Sequence, residues 1–316
     1  MKRCRIPLTQ LEVSPVCLGT MTFGTPLAEP EAIKLVHMAL DRGVNFIDTA
    51  NSYEGYTRVV GSPGGVAEMI LGKALKGRRH GVVIATKIGM KVGNEPDDEN
   101  ASPSAIRKNL DLSLKRLAID CIDIYYLHRP DPVTPLAETL GALDEAMRAG
   151  KIRHYAVSNY TRDQFADLLA VADRNHLPRP VAHEPELSML RPERAADLLP
   201  FCAQEQIAVF PYRVLHGGLL TGKYALGQPP PPGSRKAERD AWLGPLDDAL
   251  FARLDVIGRE AKEVGQSMAE FAIRWALRQP AVLSVIIGAK RIEQLDDAIG
   301  AVNWRQHVAG SKGITW

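Results

Sequence analysis

The sequence is poor in the features that mark a disulfide-stabilised, secreted or membrane protein. Its four cysteines lie far apart and no two have CxxC spacing, so neither a disulfide framework nor a bound metal is expected. No apolar run approaches the roughly 20 residues of a membrane helix. The N-terminal MKRCRIPLTQ lacks the apolar segment of a secretory signal. We therefore predict a protein of the reducing cytoplasm that does not bind membranes.

A surplus of charge of one sign is absent, and so is a glycine-rich nucleotide motif. The 39 Lys and Arg residues are balanced by 37 Asp and Glu and do not cluster, so no nucleic-acid partner is expected. A doubly wound dinucleotide-binding sheet, the main competing fold, should carry GxGxxG after its first strand. That motif does not occur, and Gly19-Thr20-Met21 is not a version of it.

The chain does contain eight short apolar runs, each followed by a helical pattern or by a loop and a helix. Continuous apolar and β-branched runs are typical of strands covered on both faces. The runs begin at Val16, Phe46, Val82, Ile122, Ile152, Val181, Ile207 and Val282. Eight such units in 316 residues predict an α/β protein with a closed (β/α)8 TIM barrel, preceded by a hairpin over Arg3–Val13. No composition break divides the units, so we predict a single domain over residues 1–316.

Local signals indicate where several helices begin and end. Pro30 and Gly43 bracket a helix predicted over 31–42, and Ser102 is the predicted N-cap of a helix that ends near Leu117. Another helix is predicted over 193–206. The segment 216–246, which contains the run PPPPG, is predicted to be irregular.

Four ionisable side chains follow the predicted strands at the points where a barrel places its active site. Asp48 ends the second strand and Tyr53 lies in the next loop, while Lys87 and His128 end the third and fourth strands. Each has a structural interpretation by itself: a turn aspartate, a packed tyrosine, a surface lysine, a hydrogen-bonded histidine. Four such residues from neighbouring units favour a shared catalytic role.

Together, these four side chains can deliver a proton to a substrate. A phenol with a reference pKa of about 10 is a poor acid at neutral pH. An ammonium beside Tyr53 lowers that pKa, and a carboxylate keeps the ammonium charged away from water. Lys87 and Asp48 supply the two, and His128 can donate a hydrogen bond to a substrate oxygen. The device protonates a carbonyl oxygen but contains no electron source, so a hydride-donating cofactor is implied.

The chain resembles the aldo-keto reductases along essentially its whole length. Within that family it is most similar to the branch that reduces aryl aldehydes, small aldehydes and sugar-like carbonyls. Several motifs match in combination and in order. They are LGTMTFG (18–24), NFIDTANSY (45–53), ATK (85–87), YYLHRPDP (125–132), GKIRHYAVSNY (150–160), GGLLTGKY (217–224) and IIGAKRIEQLDDA (286–298). The resemblance implies the same barrel and an NADP(H)-dependent carbonyl reductase without metal. It makes Tyr53 the general acid/base, Asp48 and Lys87 its partners, and His128 the group that orients a small-molecule carbonyl substrate.

The resemblance also implies the residues that contact NADPH. Ser158 and Asn159 would hold the carboxamide, and the ring of Tyr212 would stack on the nicotinamide. Further contacts are implied along the loops after the first, second, sixth, seventh and eighth strands. These are Gly19, Thr20, Met21, Asp48, Glu184, Arg213, Leu215, Gly217, Gly218, Leu219, Gly222, Lys223, Tyr224, Gly288, Lys290, Arg291 and Gln294. Backbone N–H groups at a helix start, with Lys290 and Arg291, suit the 2′-phosphate of NADPH.

This chain departs from the family pattern in three places. The usual Gln after the sixth strand is Glu184, the Ser-Pro after Tyr212 is Arg213-Val214, and the usual adenine-contacting Asn is Ala298. Arg213 either reaches a phosphate or faces solvent. A carboxylate at 184 accepts hydrogen bonds but donates one only when protonated.

Three residues are candidates for the substrate pocket, and two other functions are alternatives to the reductase. Phe23 and Tyr56 are candidate pocket walls, and Arg129 either meets an anionic substrate or forms a structural ion pair. Some members of the resembled family are channel-associated subunits, so a cofactor-sensing regulatory subunit is an alternative. A barrel enzyme that uses Lys87 to form a Schiff base is a third possibility.

Overall fold

Eight parallel strands form one sheet in the computed structural model, which describes residues 1–303. The strands are β3 Val16–Gly19, β4 Phe46–Asp48, β5 Val83–Ile88, β6 Ile122–Leu127, β7 Ile152–Ser158, β8 Ala182–Glu184, β9 Ala208–Val209 and β10 Val285–Gly288. They follow chain order around the sheet except that β10 lies beside β3. A parallel bridge between Val209 of β9 and Val282, three residues before β10, joins the two edges of the sheet, and the Ile286 N–H donates to the Pro211 carbonyl at 3.0 Å. The sheet closes into the (β/α)8 barrel predicted from the sequence.

Helices surround this barrel. They are α1 Glu29–Asp41, α2 Val66–Ala74, α3 Pro103–Leu117, α4 Leu136–Arg148, α5 Arg162–Arg174, α6 Leu198–Gln204, α7 Arg235–Glu238, α8 Asp248–Glu263, α9 Met268–Arg278 and α10 Ile292–Asn303. The Ser102 side chain accepts a hydrogen bond from the Ala105 N–H, so the predicted N-cap of α3 is confirmed. Within residues 1–303 no helix is long and apolar enough to cross a membrane.

The strands alternate between two hydrophobic clusters, and this alternation aims the functional side chains. Along β6, Tyr125 packs outward against the helices, whereas Ile124 and Tyr126 pack in the barrel interior. Successive side chains of a strand point to opposite faces. On β5 the interior residues Val83 and Ala85 therefore put Lys87 on the interior side, at the carboxyl end of the strand.

The amino end of the barrel is closed by the N-terminal hairpin. Strands β1 (Cys4–Arg5) and β2 (Glu12–Val13) pair antiparallel, as predicted. Ile6 and Val13 are fully buried in the same cluster as the barrel-lining Phe46. Apolar side chains seal this end, so access to the interior is left to the carboxyl end, where the polar residues gather.

Two local predictions were wrong. The segment predicted as a helix over 193–206 is a 3-10 turn at Pro192–Ala195 followed by the shorter α6. Proline fits an α-helix only in its first turn, so Pro200 requires the helix to begin close to Leu198. The segment 216–246, predicted irregular, contains 3-10 turns at His216–Thr221 and Asp240–Trp242 as well as α7.

Gly72 in α2 packs directly against the backbone at the carboxyl end of α3, in which Arg116 and Leu117 lie. A Cβ at Gly72 would lie 2.5 Å from the Arg116 carbonyl oxygen and 2.8 Å from that of Leu117. We expect Gly72→Ala to lower the free energy of unfolding by about 1–3 kcal/mol, because backbone atoms must move apart. Gly141, within α4, is the matched control, since a Cβ there meets nothing within 4 Å.

Gly141→Ala should instead raise the free energy of unfolding by roughly 0.5–1 kcal/mol, because alanine is the better helix former. Urea denaturation of the two variants beside the wild type measures both effects. Equal changes in the two variants would contradict the close helix contact at Gly72.

Candidate active site

A buried ion pair lies at the carboxyl ends of β4 and β5. The Lys87 ammonium donates to both carboxylate oxygens of Asp48 at 2.5 Å and to the Thr49 carbonyl at 3.1 Å. It also donates to the Tyr53 hydroxyl at 3.5 Å. The Lys87 side chain has no exposed surface, and that of Asp48 is 3% exposed. The structure thus brings together three of the four predicted catalytic residues in the order that proton delivery needs.

The pKa of Tyr53 is raised, whereas the neighbouring ammonium alone would lower it. Burial would lower the pKa of Lys87, but Asp48, Glu184 and Tyr53 outweigh it and raise that pKa well above its ordinary value. Burial raises the pKa of Tyr53 strongly, and Lys87 opposes that rise without cancelling it, while Asp48 and Glu184 add to it. The ammonium acts in the predicted direction, but in the ligand-free site Tyr53 is a protonated phenol with a raised pKa.

His128 completes the predicted set from just beyond β6. Its ring lies edge-on to that of Tyr53, with 5.9 Å between ring centroids. Burial lowers the pKa of His128 well below its usual value, and Lys87, Arg58 and Arg129 lower it further. The imidazole is therefore neutral at physiological pH, and its Nδ1 has no hydrogen-bond partner among the described residues.

Glu184 at the end of β8 is a second carboxyl beside Lys87. Its Oε2 lies 3.4 Å from the Lys87 Nζ and has no hydrogen-bond partner in residues 1–303. Burial raises the pKa of Glu184 well above its ordinary value, and the charge of Asp48 raises it further. The position that departs from the family pattern thus lies inside the ionic cluster.

A hydrogen-bond network joins the ends of β6, β7 and β8. The Ser158 hydroxyl donates to the Glu184 carbonyl at 2.9 Å, and the Asn159 amide donates to the His128 carbonyl at 2.8 Å. The Tyr212 hydroxyl donates to the Asn159 side-chain oxygen at 2.7 Å. The predicted carboxamide and ring contacts therefore lie together beside the ionic cluster.

Several cationic side chains lie close together at some distance from the ionic cluster. Burial lowers the pKa of Lys223, and the neighbouring Lys290, Arg235 and Arg291 lower it further. Lys290 pairs with Glu238, whereas within the described part of the chain no carboxylate lies within ion-pair distance of Lys223, Arg235 or Arg291. Positive charge at this density, with few carboxylates beside it, would suit anionic groups such as the phosphates of a dinucleotide.

The loop beneath these cations has a backbone that only glycine adopts readily. Gly217 and Gly218 have φ values of 64° and 94° within the 3-10 turn, and Gly222 follows with 72°. The remaining predicted contacts of this loop are mixed in exposure: Leu219 and Tyr224 are buried and Leu215 is half-buried.

The predicted contacts on the other side of the barrel lie at the ends of β3 and β10. Gly19 pairs with both Asp48 and Gly288 in register, so three strand ends meet there. The Thr20 hydroxyl donates to the Asp48 carbonyl at 3.0 Å, and Met21 is half-buried. The Gln294 side chain accepts from the Lys290 N–H at 2.8 Å at the start of α10.

The candidate pocket residues are less available to a ligand than their sequence positions suggest. Phe23 has no exposed surface and lies in the hydrophobic core, and Tyr56 is 5% exposed. Arg129 forms an ion pair with Glu99 at 2.9 Å, so of its two predicted roles the structural one is observed. Arg213 lies 3.6 Å from the Glu186 carboxylate, an arrangement that neither of its predicted roles included.

Residues of α7 and the adjoining 3-10 turn were not among the predicted site residues. The Arg235 guanidinium contacts two neighbouring rings, 4.6 Å from the centroid of Tyr56 and 5.0 Å from that of Trp242. These contacts hold the segment 216–246 across the face of the barrel. The only sequence signal was a cluster of cations, Arg235, Lys236 and Arg239, in a stretch that otherwise reads as a loop.

Comparisons with known proteins agree with this geometry. The model of the aldo/keto reductase family matches residues 15–308. An uncharacterized oxidoreductase of Bacillus subtilis is 34% identical over 301 residues, which cover 93% of this chain and 89% of that protein. A probable voltage-gated potassium channel subunit beta of Arabidopsis thaliana is 33% identical over 300 residues, which cover 93% and 88%.

Among solved structures, a glycerol dehydrogenase of Gluconobacter oxydans superimposes with a TM-score of 0.79 at 27% identity. The match covers 99% of this chain and 98% of that one. The family match spans all eight barrel strands and the ionic cluster at their carboxyl ends. This chain therefore belongs to the aldo/keto reductase family of oxidoreductases.

Proposed function

We propose that the protein reduces an aldehyde or ketone to an alcohol with NADPH, and that Tyr53 donates the proton. The observation that carries the proposal is the buried chain from Asp48 through Lys87 to the Tyr53 hydroxyl, with 2.5 Å and 3.5 Å contacts. The His128 ring lies edge-on to that of Tyr53, so a substrate oxygen beside both rings would meet two proton-bearing groups.

Each residue then has a defined task. Tyr53 holds its proton in the ligand-free site and gives it to the carbonyl oxygen as negative charge develops there. Lys87 stabilises the phenolate that is left, and Asp48 keeps Lys87 charged. Neutral His128 donates a hydrogen bond that orients the carbonyl. Bound NADPH supplies the hydride.

The cations around Lys223 and Arg291 support NADPH over NADH. A 2′-phosphate adds two negative charges that charge-assisted hydrogen bonds from guanidinium and ammonium groups stabilise. Arg291 is exposed at the start of α10 and has no carboxylate partner among residues 1–303.

The test is NADPH consumption by the purified protein with aromatic aldehydes, short aldehydes and keto-sugars. We expect turnover with at least one class, and KM for NADH well above that for NADPH. Arg291→Ala should raise KM for NADPH about 10- to 100-fold, by loss of a hydrogen bond to a charged group worth about 1.5–3 kcal/mol. KM for NADH should change less than about twofold.

Lys76→Ala is the matched control, because this exposed cation follows α2 and so lies at the amino end of the barrel. No turnover with any carbonyl would contradict the proposed reaction. Equal losses with both cofactors in Arg291→Ala would contradict the phosphate assignment alone.

Two other functions make different predictions. The 33% identity to a potassium channel subunit supports a cofactor-sensing regulatory subunit, which would bind NADPH without appreciable turnover and would associate stably with a partner. A Schiff-base enzyme needs a neutral Lys87 amine, but Asp48 holds the ammonium charged. Borohydride trapping with a carbonyl compound would expose that chemistry.

A further inference from the structure

The buried ionic cluster contains two carboxyl groups but one cation. Asp48 accepts both short hydrogen bonds from Lys87, whereas Glu184 lies 3.4 Å from the same ammonium without a hydrogen bond. The side chains of Lys87, Asp48 and Glu184 are 0%, 3% and 4% exposed. If all three were ionised, one negative charge would stay unbalanced in the protein interior, which is strongly unfavourable.

Among residues 1–303, the titratable groups that interact with Glu184 supply no second cation. They come from five of the eight barrel strands or from the loops after them. They are Cys17 on β3, Asp48 on β4, Tyr53 after β4, Lys87 on β5, Tyr126 on β6 and Tyr212 after β9. Lys87 is the one cation among these, and Asp48 already binds it at two oxygens.

We propose that Glu184 is a neutral carboxylic acid in the resting site, a positioning residue that shares one proton with Asp48 and keeps the Asp48–Lys87–Glu184 cluster at zero net charge. The proton belongs on Glu184, because Asp48 has the better hydrogen bonds to the ammonium. The raised pKa of the Glu184 carboxyl, caused by burial and by Asp48, agrees with this placement.

The protonation state of Glu184 determines how this side chain can bind the cofactor, an inference that rests on the proposed function. A neutral acid, like an amide, can both donate and accept a hydrogen bond, so Glu184 can act toward a carboxamide as a glutamine would. The oxidised nicotinamide ring is cationic and the reduced ring is neutral. Loss of the Glu184 proton at alkaline pH would place a negative charge in the pocket and favour the oxidised cofactor.

The first experiment uses ligand-free protein and infrared spectroscopy. The difference spectrum between wild type and Glu184→Gln at neutral pH should show the C=O stretch of a protonated carboxyl group, with a shift in D2O. Glu145→Gln, at an exposed ion pair with Arg107, is the control and should remove carboxylate bands only. If the difference spectrum between wild type and Glu184→Gln showed carboxylate bands and no acid band, the proposal would be overturned.

Asp48→Asn makes the test independent of the folding of the first variant. With Asp48 neutral, Lys87 has Glu184 as its one carboxylate, so Glu184 should ionise and the acid band of the wild type should vanish although Glu184 is still present. An acid band that persists in Asp48→Asn would show that Glu184 is protonated by burial alone and does not share a proton with Asp48, which contradicts the cluster described above.

The second experiment measures dissociation constants of NADPH and NADP+ against pH. At neutral pH the ratio of the two should agree within about twofold between wild type and Glu184→Gln, because both side chains are neutral. As the pH rises through the range in which the wild-type acid band disappears, the ratio of the two dissociation constants should shift about tenfold toward NADP+ in the wild type. The ratio in the variant should not shift. Parallel curves would overturn the proposal, whereas absence of turnover would affect only the proposed reaction.

Discussion

Replacing Tyr53 by phenylalanine is expected to lower kcat for carbonyl reduction by about 10²–10⁴-fold, the contribution of a positioned general acid. The variant loses the hydroxyl that accepts a hydrogen bond from the Lys87 ammonium at 3.5 Å. NADPH affinity should stay within about twofold, because the predicted phosphate contacts lie on other loops. Initial rates and fluorescence titration of NADPH measure the two effects separately.

Tyr125→Phe is the matched control for this variant. Tyr125 is also fully buried, but its side chain packs outward against the helices and its hydroxyl has no hydrogen-bond partner among residues 1–303. Turnover in this control should equal that of the wild type. If Tyr53→Phe kept wild-type kcat, Tyr53 would not be the proton donor, and the proposed mechanism would fail even if the protein is a reductase.

The fold could be predicted because its determinants are local. Each barrel strand is a short apolar run, and side-chain alternation along a strand puts Asp48, Lys87 and Glu184 on one side without knowledge of the tertiary structure. The same alternation identifies Tyr126, but not Tyr125, as a neighbour of the cluster. The catalytic grouping was therefore accessible to pattern reasoning.

The electrostatic balance was not accessible in this way. A lysine beside a tyrosine predicts a lowered pKa, yet burial raises the pKa of Tyr53 more than Lys87 lowers it. How deeply a loop tyrosine is buried depends on the segments that cover it. Tyr56 is an example: Arg235 and Trp242, which contact its ring, lie far from it in sequence, and no local pattern indicates that they meet.

Removing the ammonium should have the largest effect on stability. We expect Lys87→Met to lower the free energy of unfolding by about 3–5 kcal/mol at neutral pH, since breaking a buried pair leaves an uncompensated charge. Reduction should also slow by about 10²-fold or more, because no cation stabilises the Tyr53 phenolate. Urea denaturation and initial rates measure the two losses.

The loss of stability in Lys87→Met should depend on pH with a definite sign. Without the ammonium, burial raises the pKa of Asp48 and Glu184 further above the values of about 4 that apply in the unfolded chain. Where the folded protein holds protons that the unfolded chain has released, stability falls as the pH rises. The deficit should thus be small below pH ~4, where the carboxyl groups are protonated in both states, and should grow toward neutral pH.

Lys73→Met separates this effect from the mere loss of a lysine. Lys73 pairs with Glu29 at 2.7 Å, but its side chain is 59% exposed. Solvent screens such a pair, so its loss should cost no more than about 1 kcal/mol at any pH. A deficit in Lys87→Met that is equally small, or that does not vary with pH, would contradict the view that the ammonium compensates a buried negative charge on Asp48 and Glu184. The role of Lys87 in proton delivery is tested separately by the initial rates.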